Sequence, residues 1–185
     1  MLYLSKGIVC KNSTCDCLNI ARGESVVTIS GKEAGIWLEG RLKINSDLND
    51  IKTVEILSDK GLIEYEESSD ALGKYRLLTR CICCPTKVSI VKKPLSKAEK
   101  TVLQWLTMAG LRLSTAELIF LMENNILPST SLLYEDNRQA LVETIYTKNN
   151  IFDNILETQM EKAQCRDKIV NVLLKLLYKR RIVVL

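Results

Sequence analysis

Seven cysteines are the first side chains with chemistry to offer: Cys10, Cys15, Cys17, Cys81, Cys83, Cys84 and Cys165. Their number is odd and no export signal is recognised, so reduced thiols are the default. Cys15-x-Cys17 and Cys81-x-Cys83-Cys84 form two clusters. If the strands carrying them were neighbours, four thiolates would hold a zinc ion tetrahedrally. The spacing works against that arrangement. A C-x-C pair on a strand puts both sulfurs on one face with their Cα atoms about 7 Å apart, twice the rise per residue, which is wide for a chelate. Structural or incidental thiols are therefore the favoured reading of Cys15, Cys17, Cys81, Cys83 and Cys84, with metal binding and redox sensing as alternatives.

The chain contains no histidine. Within one chain that excludes Ser-His-Asp and Cys-His nucleophile systems, His-containing zinc and haem sites and the two-His facial triad. A general base would have to be a shifted carboxylate, cysteine or lysine. There is no Gly-rich phosphate cradle, no paired catalytic carboxylates and no EF-hand loop. The expectation is a protein that is not an enzyme and needs no cofactor.

The remaining chemistry is charge. Lys162, Arg166, Lys168, Lys175, Lys179, Arg180 and Arg181 gather near the last helical segment. Lys168, Lys175 and Lys179 recur at helical spacing and share a face, as a phosphate-contacting stripe would. The alternative is a solvated face, with the terminal bases complementing the helix dipole. Residues 47–60 instead carry Asp47, Asp50, Glu55 and Asp59 against Lys52 and Lys60, and Glu64, Glu66, Glu67 and Asp70 follow. Lys74, Arg76 and Arg80 compensate in part.

The elements that must position these groups come next. A chain of 185 residues, 46% hydrophobic and 26% charged, has the mixture of a globular protein and room for one full domain or two small ones. Met1–Lys6 reaches a lysine too early for a secretory signal, and no run approaches the roughly 20 apolar residues of a spanning helix, so no membrane association and a cytoplasmic location are expected. Strands are predicted at Gly7–Cys10, Cys15–Ile20 and Ser25–Ile29. A short helix follows from Ser30, whose spacing to Glu33 is that of a capping box, and ends at Gly40. Asp47 caps a helix over Leu48–Lys60, which Gly61 terminates. Leu62–Glu67 then reads as a strand, residues 68–73 as a loop and Lys74–Thr79 as the returning strand.

Pro85 and Pro94 bracket the clearest boundary, and the chain is divided into residues 1–93 and 94–185. Ser96 and Glu99 form a second capping box, and Ser114 opens a further helix that runs to Asn124. Additional helices are predicted over Asn137–Lys148, with Asp136 or Asn137 as cap, over Ile151–Glu161 and over Arg166–Lys179. A last strand covers Ile182–Leu185. Trp37 and Trp105 sit on apolar stripes and read as core.

Val54-Glu55-Ile56-Leu57-Ser58-Asp59-Lys60-Gly61-Leu62-Ile63, followed by a polar loop and Gly73-Lys74-Tyr75-Arg76-Leu77-Leu78-Thr79, resembles the third helix and wing of the winged-helix superfamily of bacterial transcriptional regulators. The strongest part of the match spans residues 47–80. The resemblance implies an α+β, predominantly helical chain built as two small winged-helix-like domains in tandem, the first preceded by extra strands. It also implies a transcriptional regulator that binds double-stranded DNA through its second domain or as a homodimer. Lys168, Lys175, Lys179, Arg180 and Arg181 would anchor phosphates, with Lys74 and Arg76 of the wing in support.

The strands that precede Gly35-Ile36-Trp37-Leu38-Glu39-Gly40 resemble a second branch, the peptide-binding winged helices of peptide-modifying pathways. That resemblance implies a peptide or protein partner held by β-augmentation, a reading the acidic wing favours. A cysteine-based metal or redox sensor is the third reading.

Overall fold

A computed structural model describes residues 1–14, 16–22, 25–46, 50–86, 93–108, 113–128 and 152–185. The fold is mixed α+β. "Predominantly helical" understates the strands, which form three small sheets among the described residues.

The first sheet comes from the N-terminal strands. β2 (Ile8–Val9), β3 (Cys17–Arg22) and β4 (Ser25–Ser30) pair antiparallel in the order β2-β3-β4. α1 (Gly31–Gly40) follows directly, with Ser30 extended and Gly31 at φ +52 making the corner. The expected Ser30–Glu33 capping box does not form. Glu33 instead pairs with Lys60 at 2.6 Å, tying α1 to the end of α2. α2 (Ile51–Asp59) is capped by Asp50, whose side chain accepts from the Thr53 N–H; Asp47 lies outside the described residues. Gly61, at φ +69, ends α2, because the Leu62 N–H then reaches back to the Leu57 carbonyl at 2.8 Å.

A strand not anticipated from the sequence organises the centre. β1 (Leu2–Ser5) pairs antiparallel with β5 (Ile63–Glu66), and all four β1 residues are buried. Alternate side chains of a strand point to opposite faces. Leu2 and Leu4 accordingly join a large core with the later helices, while Tyr3 joins a smaller one with Ile20, Trp37, Val54 and Leu62. β1 is thus the wall between two cores.

The predicted returning strand is a helix, α3 (Ala71–Thr79). Asp70 supplies the cap, accepting from the Gly73 N–H at 2.6 Å. Gly73 lets the helix start against the preceding loop, since a Cβ there would lie 2.2 Å from the Ser68 carbonyl oxygen. The winged hairpin expected after α2 is therefore absent, although its first strand is present as β5. Tyr75 and Leu77 alternate with Lys74 and Arg76, which mimics a strand. Leu78 and Thr79 are buried as well, which breaks the alternation of a strand, and α3 buries these side chains on several sides, against β1 and β5 and against later helices.

β6 (Ile82–Pro85) is the middle strand of the third sheet, flanked by β7 (Leu113–Ser114) and β8 (Ile182–Val184). This sheet draws on both sides of residue 93. So does the large core, where Tyr75, Leu77, Leu78, Cys81 and Cys83 pack with α4 (Lys97–Met108), α5 (Thr115–Glu123), α6 (Phe152–Met160) and α7 (Arg166–Tyr178). The large core thus takes in residues from both sides of residue 93, together with Leu2 and Leu4 of β1. Both later capping boxes form, at Ser96 with Glu99 and at Ser114 with Glu117. The helix expected over Asn137–Lys148, with its cap, lies outside the described residues. Among the described residues no helix is long and apolar enough to cross a membrane.

Candidate functional site

Of the seven predicted phosphate anchors, Lys179 and Arg76 are paired with carboxylates within the fold. Lys179 is taken up by the fold. Its Nζ lies 2.7 and 2.8 Å from the two Glu99 carboxylate oxygens and donates to the Pro94 carbonyl at 2.9 Å. Glu99 is only 1% exposed. Burial pushes its pKa up, but hydrogen bonds from Lys179 and Ser96 outweigh that and hold it below its ordinary value. Arg76 is paired through Nε to Glu161 at 2.7 Å, which raises its pKa. Arg181 is half-buried, and its Nε is buried without a hydrogen-bond partner.

Lys168 and Lys175 are exposed on α7, so the stripe retains two of its three lysines. Lys168 borders a groove with Lys97 and Cys165. Lys74 and Arg180 open onto two neighbouring depressions that share Leu42. The same depressions are lined by Arg41 and by Lys43, two bases that sequence reasoning passed over. Nothing in the local pattern of residues 41–43 marks them, because their company comes from α7 and β8.

The acids after α2 are likewise engaged. Glu64 bonds Lys6 at 2.8 Å, and Arg80 reaches Glu66 at 2.6 Å and Glu64 at 3.4 Å. Lys32 and Asp50 pair at 2.6 Å, and Asp50 is held down at about 2, chiefly by Lys32 and then by Thr53.

The cysteine clusters lie on different sheets, Cys17 on β3 and Cys83 and Cys84 on β6; Cys15 is outside the described residues. Cys81 and Cys83 are each 1% exposed. The Cys81 thiol donates to the Leu77 carbonyl at 3.2 Å. Burial raises the pKa of both thiols, that of Cys83 to about 12. Among the described residues no group of three or more Cys, Asp or Glu is placed to hold a metal ion.

Among the described residues, the β4 edge of the N-terminal sheet carries no further paired strand. β4 is the last strand in the order β2-β3-β4, with its full length paired to β3 on one side. Ile29 faces inward and is buried, whereas Val26 is 59% exposed and Thr28 is exposed. Of the nine large hydrophobic side chains exposed among the described residues, five lie between Ile8 and Ile56: Ile8, Val26, Leu38, Ile51 and Ile56. No family model, curated protein or solved structure matches this chain.

Proposed function

We propose that this chain is a non-catalytic binding module that accepts an extended segment of a protein partner as an additional strand along β4. The observation that carries this reading is a six-residue strand at a sheet edge with Val26 and Thr28 exposed on it. A strand edge offers a row of backbone donors and acceptors that an incoming peptide satisfies, and alternate side chains supply selectivity. Val26 favours a β-branched or aromatic neighbour on the incoming strand. The exposed Ile8, Leu38, Ile51 and Ile56 of the same unit suit a partner with apolar surface better than a polyanion.

Duplex DNA is the competing partner. Its anchors are weakened as a set, because Lys179 and Arg76 already carry carboxylate partners and duplex binding depends on the number of free cations that neutralise phosphates.

The test is peptide selection by display on the immobilised chain, followed by hydrogen exchange of the complex. Selected peptides should slow exchange at the backbone amides of residues 25–30, and Val26→Lys should weaken them. Peptides that protect other segments and leave β4 unchanged would sink the reading. So would self-association that protects β4 with no peptide present, or a fluorescent 20-base-pair duplex that binds at low salt where no peptide is selected.

A further inference from the structure

A cleft of about 180 Å³ lies where the end of α1 meets the corner between α7 and β8. Its charged lining residues are Arg41 and Arg180, and the rest, including Ser5, Leu42, Thr86 and Val184, are neutral. Arg41 and Arg180 are both exposed, and two like charges sharing one cleft repel. Arg41 registers this, its pKa lowered first by burial and then by the charge of Arg180. The nearest acid on α1, Glu39, is occupied, accepting from the Tyr3 hydroxyl and the Asn45 amide at 3.2 Å each. The hydroxyls on the cleft wall are committed as donors, Ser5 to the Trp37 carbonyl at 2.7 Å and Thr86 to the Arg180 carbonyl at 2.9 Å. Among the described side chains lining the cleft, the donors that remain are the guanidinium N–H groups of Arg41 and Arg180.

Arg180 sits at φ +56, in the left-handed region at the end of α7, where glycine is the favoured residue. The helix end itself uses this conformation, the Arg180 N–H bonding the Leu177 carbonyl at 2.8 Å and the Arg181 N–H the Leu176 carbonyl at 2.9 Å, so Arg180 is fixed at the corner by the closure of α7. Arg41 is held from the other side by its guanidinium lying 5.5 Å from the centre of the Trp37 ring.

We propose that this cleft is an oxyanion site that takes the phosphoryl group of a small phosphomonoester, gripped between Arg41 and Arg180. A guanidinium presents a planar fork matched to phosphate oxygens, and two of them match a dianion better than a monoanionic carboxylate. The volume suits one phosphoryl group. The body of the ester extends over Leu42 into the adjoining groove, where Lys43, Lys74 and the exposed ring of Tyr178 lie beside Leu174.

The proposal is tested by calorimetric titration of the full chain with inorganic phosphate, with glycerol 3-phosphate and with acetate at matched ionic strength. Both phosphates should bind and acetate should not, and glycerol 3-phosphate should bind more tightly than the bare ion if the groove contributes. Arg180→Gly is the informative variant, because glycine prefers the left-handed backbone and keeps the corner folded. It should raise the melting temperature and weaken phosphate binding about ten- to hundredfold, as loss of a charge-assisted contact does. Arg41→Gln should weaken it comparably. Unchanged phosphate affinity in both folded variants would overturn the site, as would equal binding of acetate. Binding by a DNA duplex that depends on Arg41 and Arg180, with neither small phosphate bound, would overturn it too.

Discussion

Lys179 and Glu99 meet across 80 residues of sequence, with the lysine Nζ within 2.8 Å of both carboxylate oxygens. The pair fastens the end of α7 to the first turn of α4, where Glu99 also receives the Ser96 N–H at 2.6 Å. A residue that by sequence reads as a DNA contact is thus a structural anchor.

Removing one partner should cost more than removing both. Lys179→Met leaves a buried carboxylate without its cation, an expected loss of ~3–5 kcal/mol, whereas Glu99→Gln with Lys179→Met should recover much of it. Because the folded pKa of Glu99 is depressed, its contribution is present above the unfolded carboxylate value and is lost as pH falls through the lower folded value. Urea unfolding between pH 2 and pH 7 should therefore show an acid-limb loss in the wild type that the Glu99→Gln variant partly lacks. An identical pH dependence in the two would contradict the assignment.

Two glycines in helices should respond with opposite signs. A Cβ at Gly35 meets nothing within 4 Å, so Gly35→Ala should stabilise α1 by about 0.5–1 kcal/mol through helix propensity alone. A Cβ at Gly73 would collide with the Ser68 backbone at 2.2 Å, so Gly73→Ala should destabilise α3 and shift the urea midpoint downward. Midpoints moving in the same direction would show that α3 does not start against the loop as described.

The elements that were legible in the sequence are those built from local signals. Gly61 closing α2, the capping boxes at Ser96 and Ser114, and the amphipathic run of α7 all depend on residues within a few positions of one another. Residues 74–79 read as a strand because Tyr75 and Leu77 alternate with Lys74 and Arg76 at a period of two, whereas the helix rests on burial from several sides and on a cap whose signal is a single hydrogen bond from the Gly73 N–H to Asp70. β1 was missed because four buried residues with no polar alternation carry no period. β6 pairs with β8 across about a hundred residues, and that pairing decides which half of the chain residues 71–85 join. Arg41 became visible only through Arg180, which the fold brings beside it.

β1 as the wall between the two cores makes a prediction about cooperativity. Leu4 is fully buried in the larger core and Tyr3 is 1% exposed in the smaller. Leu4→Ala should cost ~2–5 kcal/mol as a cavity in the larger core. Because the strand that carries Leu4 also carries Tyr3, the smaller core should lose its wall in the same transition. Trp37 belongs to the smaller core and Trp105 packs against the larger one, so single-tryptophan variants report each core separately. Coincident urea midpoints for the two probes, both lowered by Leu4→Ala, are expected; a shift at Trp105 alone would show that the cores unfold independently.

Thiol chemistry gives the last prediction. Cys165 is pushed up to about 12, first by burial and then by the nearby Glu123 carboxylate, and Cys83 reaches about 12 through burial. Both thiols therefore stay protonated near neutral pH, and the thiolate is the reactive form. Brief iodoacetamide treatment of the folded chain, read by peptide mass, should therefore label the partly exposed Cys10, Cys17 and Cys84 well before Cys81, Cys83 and Cys165. Urea should abolish the difference, since the protection comes from packing against Leu77, Thr115 and Glu123 rather than from the sequence around each sulfur. Rapid labelling of Cys83 in the folded state would mean that β6 opens readily and that the sheet joining the two halves of the chain is not a fixed part of the fold.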